Sequence, residues 1–209
     1  MRCDLHTHSF YSLRDGVNSP EDIIKQAVKV GLDSIAITDH DTLNGFLNGK
    51  KYAKEVEFDL VPGMEISSKE GHILGLYIGE EVPKGLSAEE TLELIHAQGG
   101  LAIAAHPYDL LRNGVGDIVK KLDFDGIEIL NGRNYFVNGR AKKVAKTLDI
   151  ATTGGSDGHI IDEVGNCYTT YENDLYNAIK NKKTGVGGGL ANPYDILKSK
   201  IRAKLKKRL

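Results

Sequence analysis

The sequence predicts an α/β protein whose strands run mostly parallel, joined by crossover helices into a doubly wound sheet or a closed barrel. Three observations carry this. Short apolar or β-branched runs recur at 3–5, 34–38, 60–61, 73–78, 101–105, 126–130 and 150–153, as buried strands do. Segments with helical periodicity alternate with them. Six of the seven histidines fall just after a predicted strand or at its edge, and parallel α/β barrels build their sites at the carboxyl ends of their strands.

The first strand, 3–5, is followed by a loop and then by Ser19-Pro20-Glu21-Asp22, an N-cap, first-turn proline and early acids that open a helix. After the run at 34–38, helical periodicity spans 42–55. The runs at 60–61 and 73–78 flank Lys69 to Gly71, where a turn would pair 65–67 with 72–76 as a hairpin. Ser87-Ala88-Glu89-Glu90 reads as a capping box for a helix ending at Gln98-Gly99-Gly100. Helices over 135–148 and 173–181 flank the run at 150–153. The glycines at 185 and 187–189 follow no convincing strand and read as a linker. Asn192-Pro193 starts a last helix, whose stripe of Leu197, Ile201, Leu205 and Leu209 calls for a docking surface on the preceding domain, 1–191.

Composition narrows the function classes. The 209 residues hold 27 Lys+Arg against 29 Asp+Glu, for a net −2, with 40% hydrophobic residues, which argues against disorder and against a wholly basic nucleic-acid binder. Residues 198–209 carry seven Lys/Arg and no acid, which leaves the first 197 residues at −9. Cys3 and Cys167 form no CxxC pair and read as buried, reduced thiols. No apolar stretch approaches the roughly 18 residues of a membrane span, and the early polar motif leaves no signal peptide. A cytoplasmic protein without a membrane partner is expected.

The strand-end residues carry the chemistry. His6 and His8, with Asp4, point to one side of the first strand at period two. His40 follows the second strand, Glu65 the third, and His106 closes 101–105; Asp157 and His159 follow 150–153. The hairpin brings His72 within reach of Glu65, and Asp15 lies in the loop after His8. Imidazoles and carboxylates without thiolates suit Mn²⁺, Zn²⁺ or Fe²⁺. Nine such side chains exceed one ion's needs and would hold two to three divalent ions, with a carboxylate bridging. His96, in the last turn of a helix, suits the helix dipole instead. Asp4 and Asp39 are candidates for orienting imidazoles from behind. Arg133, in Asn131-Gly132-Arg133, is the candidate phosphate clamp, and Arg14 adjoins Asp15.

Together, Asp4-Leu5-His6-Thr7-His8, Ile37-Thr38-Asp39-His40-Asp41, Pro62-Gly63-Met64-Glu65, Ala105-His106-Pro107 and Gly155-Ser156-Asp157-Gly158-His159 resemble the polymerase and histidinol phosphatase (PHP) family. The resemblance implies a distorted (β/α)7 barrel and phosphoester hydrolysis at a cluster of up to three ions. It implies that His6, His8, Glu65 and Asp157 bind one ion, that a bridging Glu65 binds a second with His72 and His106, and that Asp15, His40 and His159 bind a third. Glu65, Asp157, His159 and Arg133 become the candidate catalytic residues. A hydroxide bridging two ions would attack phosphorus in line, since coordination lowers the pKa of water towards about 7. Asp15 with Gly16 resembles the small stand-alone branch, whose members include nucleotide phosphatases and 5′-to-3′ exonucleases. The expected substrate is a phosphomonoester: a nucleotide, a nucleoside bisphosphate or a short oligonucleotide end. The short span from Pro107 to Ile127 has no room for the subdomain that some of those members insert there.

Two rival readings remain at this level. An amidohydrolase also sets HxH on its first strand and an Asp on its last, but Glu65 with His72, and His159 after Asp157, favour the phosphoesterase. A non-catalytic module would act through the basic C-terminal helix on phosphates, with binding that weakens steeply with salt.

Overall fold

The computed structural model of the chain describes residues 1–13 and 15–206; Arg14, Lys207, Arg208 and the stripe's last member, Leu209, lie outside the described residues. In chain order the elements are β1 (Arg2–Asp4), α1 (Pro20–Lys29), β2 (Ser34–Ile37), α2 (Asn44–Glu55), β3 (Asp59–Ser67), β4 (His72–Leu76), α3 (Ala88–Ala97), β5 (Leu101–Ala104), β6 (Gly126–Asn131), α4 (Asn138–Leu148), β7 (Ala151–Gly155), β8 (Cys167–Thr170), α5 (Leu175–Lys180), β9 (Gly185–Gly188) and α6 (Pro193–Lys206). The caps act as their sequences direct: the Ser19 side chain accepts from Asp22 N, and Ser87 and Glu90 complete a capping box.

One sheet runs in the order β7-β6-β5-β4-β3-β2-β1-β8-β9. Only β4 and β8 oppose the common direction of the other strands. The two ends of the sheet meet. Thr184 Oγ1 donates to Thr152 O at 2.8 Å, Gly154 N donates to Thr169 Oγ1 at 2.9 Å, and Thr7 bridges Gly158 in parallel. The result is a nearly closed, distorted α/β barrel. Gly155 permits the closure, because a Cβ there would stand 2.5 Å from that of His6.

Strand alternation sorts the core. Cys3, Leu5, Ala36, Val61, Leu74, Leu76, Leu101 and Ile103 pack with Leu175 and Ile179 of α5. The opposite strand faces carry Ile35 and Ile37 against α1, and Met64, Ile66, Ala102 and Ile127 against α3 and its surroundings. Both cysteines are free and buried. No described helix is long and apolar enough to cross a membrane.

Two readings of the C-terminal third need correction. The glycine-rich segment is no linker: Gly185–Gly188 is a strand that pairs antiparallel with β8. Gly187 lies against the Tyr168 ring, where a Cβ would meet Cε2 at 2.5 Å, so the strand consists of residues with almost no side-chain pattern to read. The apolar stripe of α6 does not pack: Leu197, Ile201 and Leu205 are 52–56% exposed. The helix instead turns Ser199, which is buried, towards the barrel.

Candidate metal centre

Most of the site residues stand where a strand of the common direction ends; His72 opens the antiparallel β4, and Asp15 lies in the loop between β1 and α1. Beyond β1, the main chain continues as a ribbon bonded to the loop after β7: Asp157 N donates to His6 O at 2.7 Å and His8 N to Gly158 O at 2.9 Å. This sets the HxH and DxH pairs side by side. A parallel bridge between His40 and Glu65 joins the ends of β2 and β3. The hairpin pairs Ser67 with His72. His106 and Asp157 both hold positive φ, 28° and 54°. That conformation costs a non-glycine residue on the order of 1–3 kcal/mol, and bonds from His106 N to Glu128 Oε2 (2.7 Å) and from Asp157 N to His6 O hold it in place.

All nine predicted side chains come together around Glu65. Its Oε2 lies 3.3 Å from His6 Nε2, 3.3 Å from His8 Nε2 and 3.2 Å from His40 Nδ1; its Oε1 lies 2.9 Å from His72 Nδ1 and 3.1 Å from His106 Nε2. Asp157 Oδ1 stands 3.4 Å from His8 Nε2 and 3.8 Å from His6 Nε2. Asp15 Oδ2 lies 3.4 Å from His40 Nε2 and 3.1 Å from His159 Nε2. His96 is elsewhere, bonded to Asp125 Oδ2 at 2.8 Å.

The donor set fits divalent ions. Ligand atoms bound at about 2.1 Å stand about 3.0–3.4 Å apart around one ion, close to the spacings just given. His6 Nε2, His8 Nε2, His40 Nδ1, His72 Nδ1 and Glu65 Oε2 are buried without a hydrogen-bond partner. Buried polar atoms are nearly always satisfied, so lone pairs aimed at common points call for a cation. Four triads have ligand atoms close enough to share an ion: His6, His8 and Asp157; His6, Glu65 and His106; His8, Asp15 and His40; His40, Glu65 and His72.

Electrostatics follows from this crowding. Burial alone would raise Glu65, yet His40, His6, His72 and the His106 bond hold its carboxyl well below the ordinary range. Burial likewise opposes the charge of Asp157, and Arg112, His6, His8 and His159 overcome it. His6 is raised well above an ordinary imidazole, its burial outweighed by Asp157, Glu65 and Glu128. His159 moves down to about 4, through burial and then the Arg133 guanidinium. A neutral imidazole is the form that ligates metal.

A sequence profile of the PHP domain matches residues 4–181. The chain belongs to the PHP domain family. It is 45% identical over 160 residues to an uncharacterized protein of Methanocaldococcus jannaschii, MJ1587, covering 71% of this chain and 94% of that one. It is 42% identical over 85 residues to a 5′-3′ exoribonuclease of Haemophilus influenzae, covering 39% and 30% of the two chains. Among solved structures, a two-domain protein of Bacteroides vulgatus, containing a predicted PHP-like metal-dependent phosphoesterase, has a TM-score of 0.77 at 20% identity, covering 97% and 69%.

The PHP domain holds residues that the sequence reading missed. Glu128 accepts from His106 N and Asn131 Nδ2 and lies 3.2 Å from His6 Nδ1. Its signal was a carboxylate inside the apolar run Ile127-Glu128-Ile129, which at period two must face the barrel interior. Arg112 pairs with Asp157 Oδ2 and reaches Asn131 Oδ1 at 3.1 Å. It sits on a short 3-10 turn, which no strand-end pattern reveals. Asp4 and Asp39 do not orient imidazoles. Asp4 accepts from the backbone of His6, Ser156 and Gly165, and Asp39 from Ser9 N and Oγ, so both brace loop backbone.

Arg133 lies beside His159 Nδ1, with Nη2 bonded to Ser199 Oγ at 2.8 Å. It lines a cleft of about 1120 Å³ at the outer edge of the cluster, walled by Arg112, Leu111, Phe136 and Lys200.

Proposed function

We propose that this PHP domain is a metal-dependent phosphoesterase that hydrolyses phosphomonoesters and holds two to three divalent ions, Mn²⁺, Zn²⁺ or Fe²⁺. The observation that carries the reading is the convergence of nine imidazoles and carboxylates, among which His6 Nε2, His8 Nε2, His40 Nδ1, His72 Nδ1 and Glu65 Oε2 are buried without hydrogen-bond partners. The residues suited to one ion are His6, His8, Glu65 and Asp157; to a second, Glu65, His72 and His106; to a third, Asp15, His40 and His159. When bound, such ions supply Lewis acidity and a nucleophile active at neutral pH.

The chain's own residues do the rest. Glu128 Oε1, 3.2 Å from His6 Nδ1, is placed to accept a hydrogen bond from the Nδ1–H tautomer, which leaves Nε2 free to ligate. Arg112 occupies Asp157 Oδ2 and so reserves Oδ1 for the cluster. Arg133, at the cleft wall, is placed to bind the non-bridging oxygens of a phosphate. The apolar cleft wall of Leu111 and Phe136, with Arg112 and Lys200, suits a nucleotide, a nucleoside bisphosphate or a short oligonucleotide end. Similarity to the H. influenzae exoribonuclease supports that choice.

The test joins elemental analysis with a substrate panel. Protein reconstituted with Mn²⁺ should carry at least two ions per chain and turn over phosphomonoesters or short oligonucleotide ends in preference to lactams. One ion or none, or preference for a C–N bond, would sink the reading.

A further inference from the structure

Helix α6 lies beyond the matched PHP domain, residues 4–181, yet it bonds to the loop that carries Asp15, to the loop that carries His159 and to Arg133. On one side, the buried hydroxyl of Ser199 accepts from Arg133 Nη2 at 2.8 Å and itself donates to Ile196 O at 2.8 Å. Arg133 in turn lies against His159. On the other side, Lys206 Nζ donates to three carbonyls, Phe10 O at 2.5 Å, Gly16 O at 2.8 Å and Ser12 O at 3.2 Å. Those carbonyls flank Asp15. Lys198 adds an ion pair to Asp162. The helix therefore docks largely through polar groups, with its apolar stripe outward, an arrangement that burial of apolar surface does not explain. Its polar anchors fall on the residues whose placement the strands leave least determined.

We infer that α6 is a strap that completes the outer metal subsite: Ser199 is a positioning residue for Arg133, and Lys206 holds the loop carrying Asp15 in ligating position. The inference deepens the phosphoesterase reading and rests on it for the Ser199 arm; the Lys206 arm concerns metal binding alone. Without Lys206, three carbonyls lose their shared cation and the Asp15 carboxylate is freed to leave His40 and His159. Without the Ser199 hydroxyl, Arg133 Nη2 loses the acceptor that fixes its plane.

The test uses the full chain carrying Ser199→Ala, Ser199→Thr or Lys206→Met, with Mn²⁺ titration, elemental analysis at limiting Mn²⁺, Tm, and kinetics on p-nitrophenyl phosphate. Ser199→Ala should raise KM about tenfold, the lower end for loss of a group supporting a ligand or clamp, with metal content and Tm unchanged, and Ser199→Thr should restore it. Lys206→Met should lower occupancy by one ion per chain while the tighter-bound ions stay. Wild-type occupancy in Lys206→Met, or a Ser199→Ala KM within twofold of an active wild type, would overturn the corresponding arm. A wild type inactive on every phosphate ester would sink the phosphoesterase reading, while the Mn²⁺ titration of Lys206→Met would still decide whether the strap holds the outer subsite.

Discussion

The inner and outer halves of the cluster are built by different means. Around Glu65, whose side chain is 1% exposed, His6, His40, His72 and His106 issue from strand ends or from bridges that extend them. Asp15 comes from a loop, its side chain 26% exposed, and is steadied by Ser12 Oγ at 2.7 Å and Gly16 N at 2.9 Å. Main-chain ladders place the backbone of the inner groups, whereas Asp15 depends on side-chain bonds and on a helix outside the matched domain. A barrel can thus share its inner site widely while its outer edge is set by local additions.

The largest effect expected on this contrast is at its hub. Glu65→Gln removes the charge faced by five imidazoles and should strip the inner ions, lowering kcat/KM by more than the roughly 10–100-fold that supporting residues produce; elemental analysis alongside kinetics checks it, and full metal content would refute the hub. Glu128→Gln should fall within that 10–100-fold range in metal affinity, because it weakens the carboxylate behind His6 without touching a ligand atom. An unchanged Mn²⁺ titration would return Glu128 to a purely structural part.

The third test is pH. In metal-free protein His6 and His8 have raised pKa values. Their charged form therefore stabilises the fold fully below the unfolded value of about 6.5, and that contribution is lost as pH rises through their folded values. The lowered values of His106 and His159 act in the acid range instead, below about 6.5. The Tm of chelator-treated protein should fall as pH rises above about 6.5, and the metal-loaded protein should lack that fall. A rising Tm in the metal-free form over that window would contradict the charge assignment. The smallest effect is expected at the outward stripe: Ile201→Ser should change stability by less than about 0.5 kcal/mol, and a larger loss in Tm would mean that α6 packs by that face in solution.

The strands and the ligand motifs were legible because both rest on local periodicity. Apolar runs ending in His or a carboxylate mark buried strands that open onto a polar mouth, and the hairpin across Lys69 to Gly71 followed from the one histidine, His72, that opens a strand instead of closing one. The missed features lacked such a signal or carried a competing one. β9 is nearly all glycine; Arg112 sits on a 3-10 turn; the Leu197, Ile201 and Leu205 spacing described a helix face correctly but not the surface it meets.

By itself, then, the amino-acid order determined an alternating α/β chain and the residue types of a metal-binding cluster, since period-two alternation and caps act within a few residues. Only the tertiary structure decided that Glu128 backs His6, that Arg112 holds Asp157, and that α6 turns its polar face inward. Those pairings join residues 122, 45 and 66 positions apart, for Glu128 with His6, Arg112 with Asp157 and Arg133 with Ser199. Nothing in local sequence specifies such distances; closure of the barrel does.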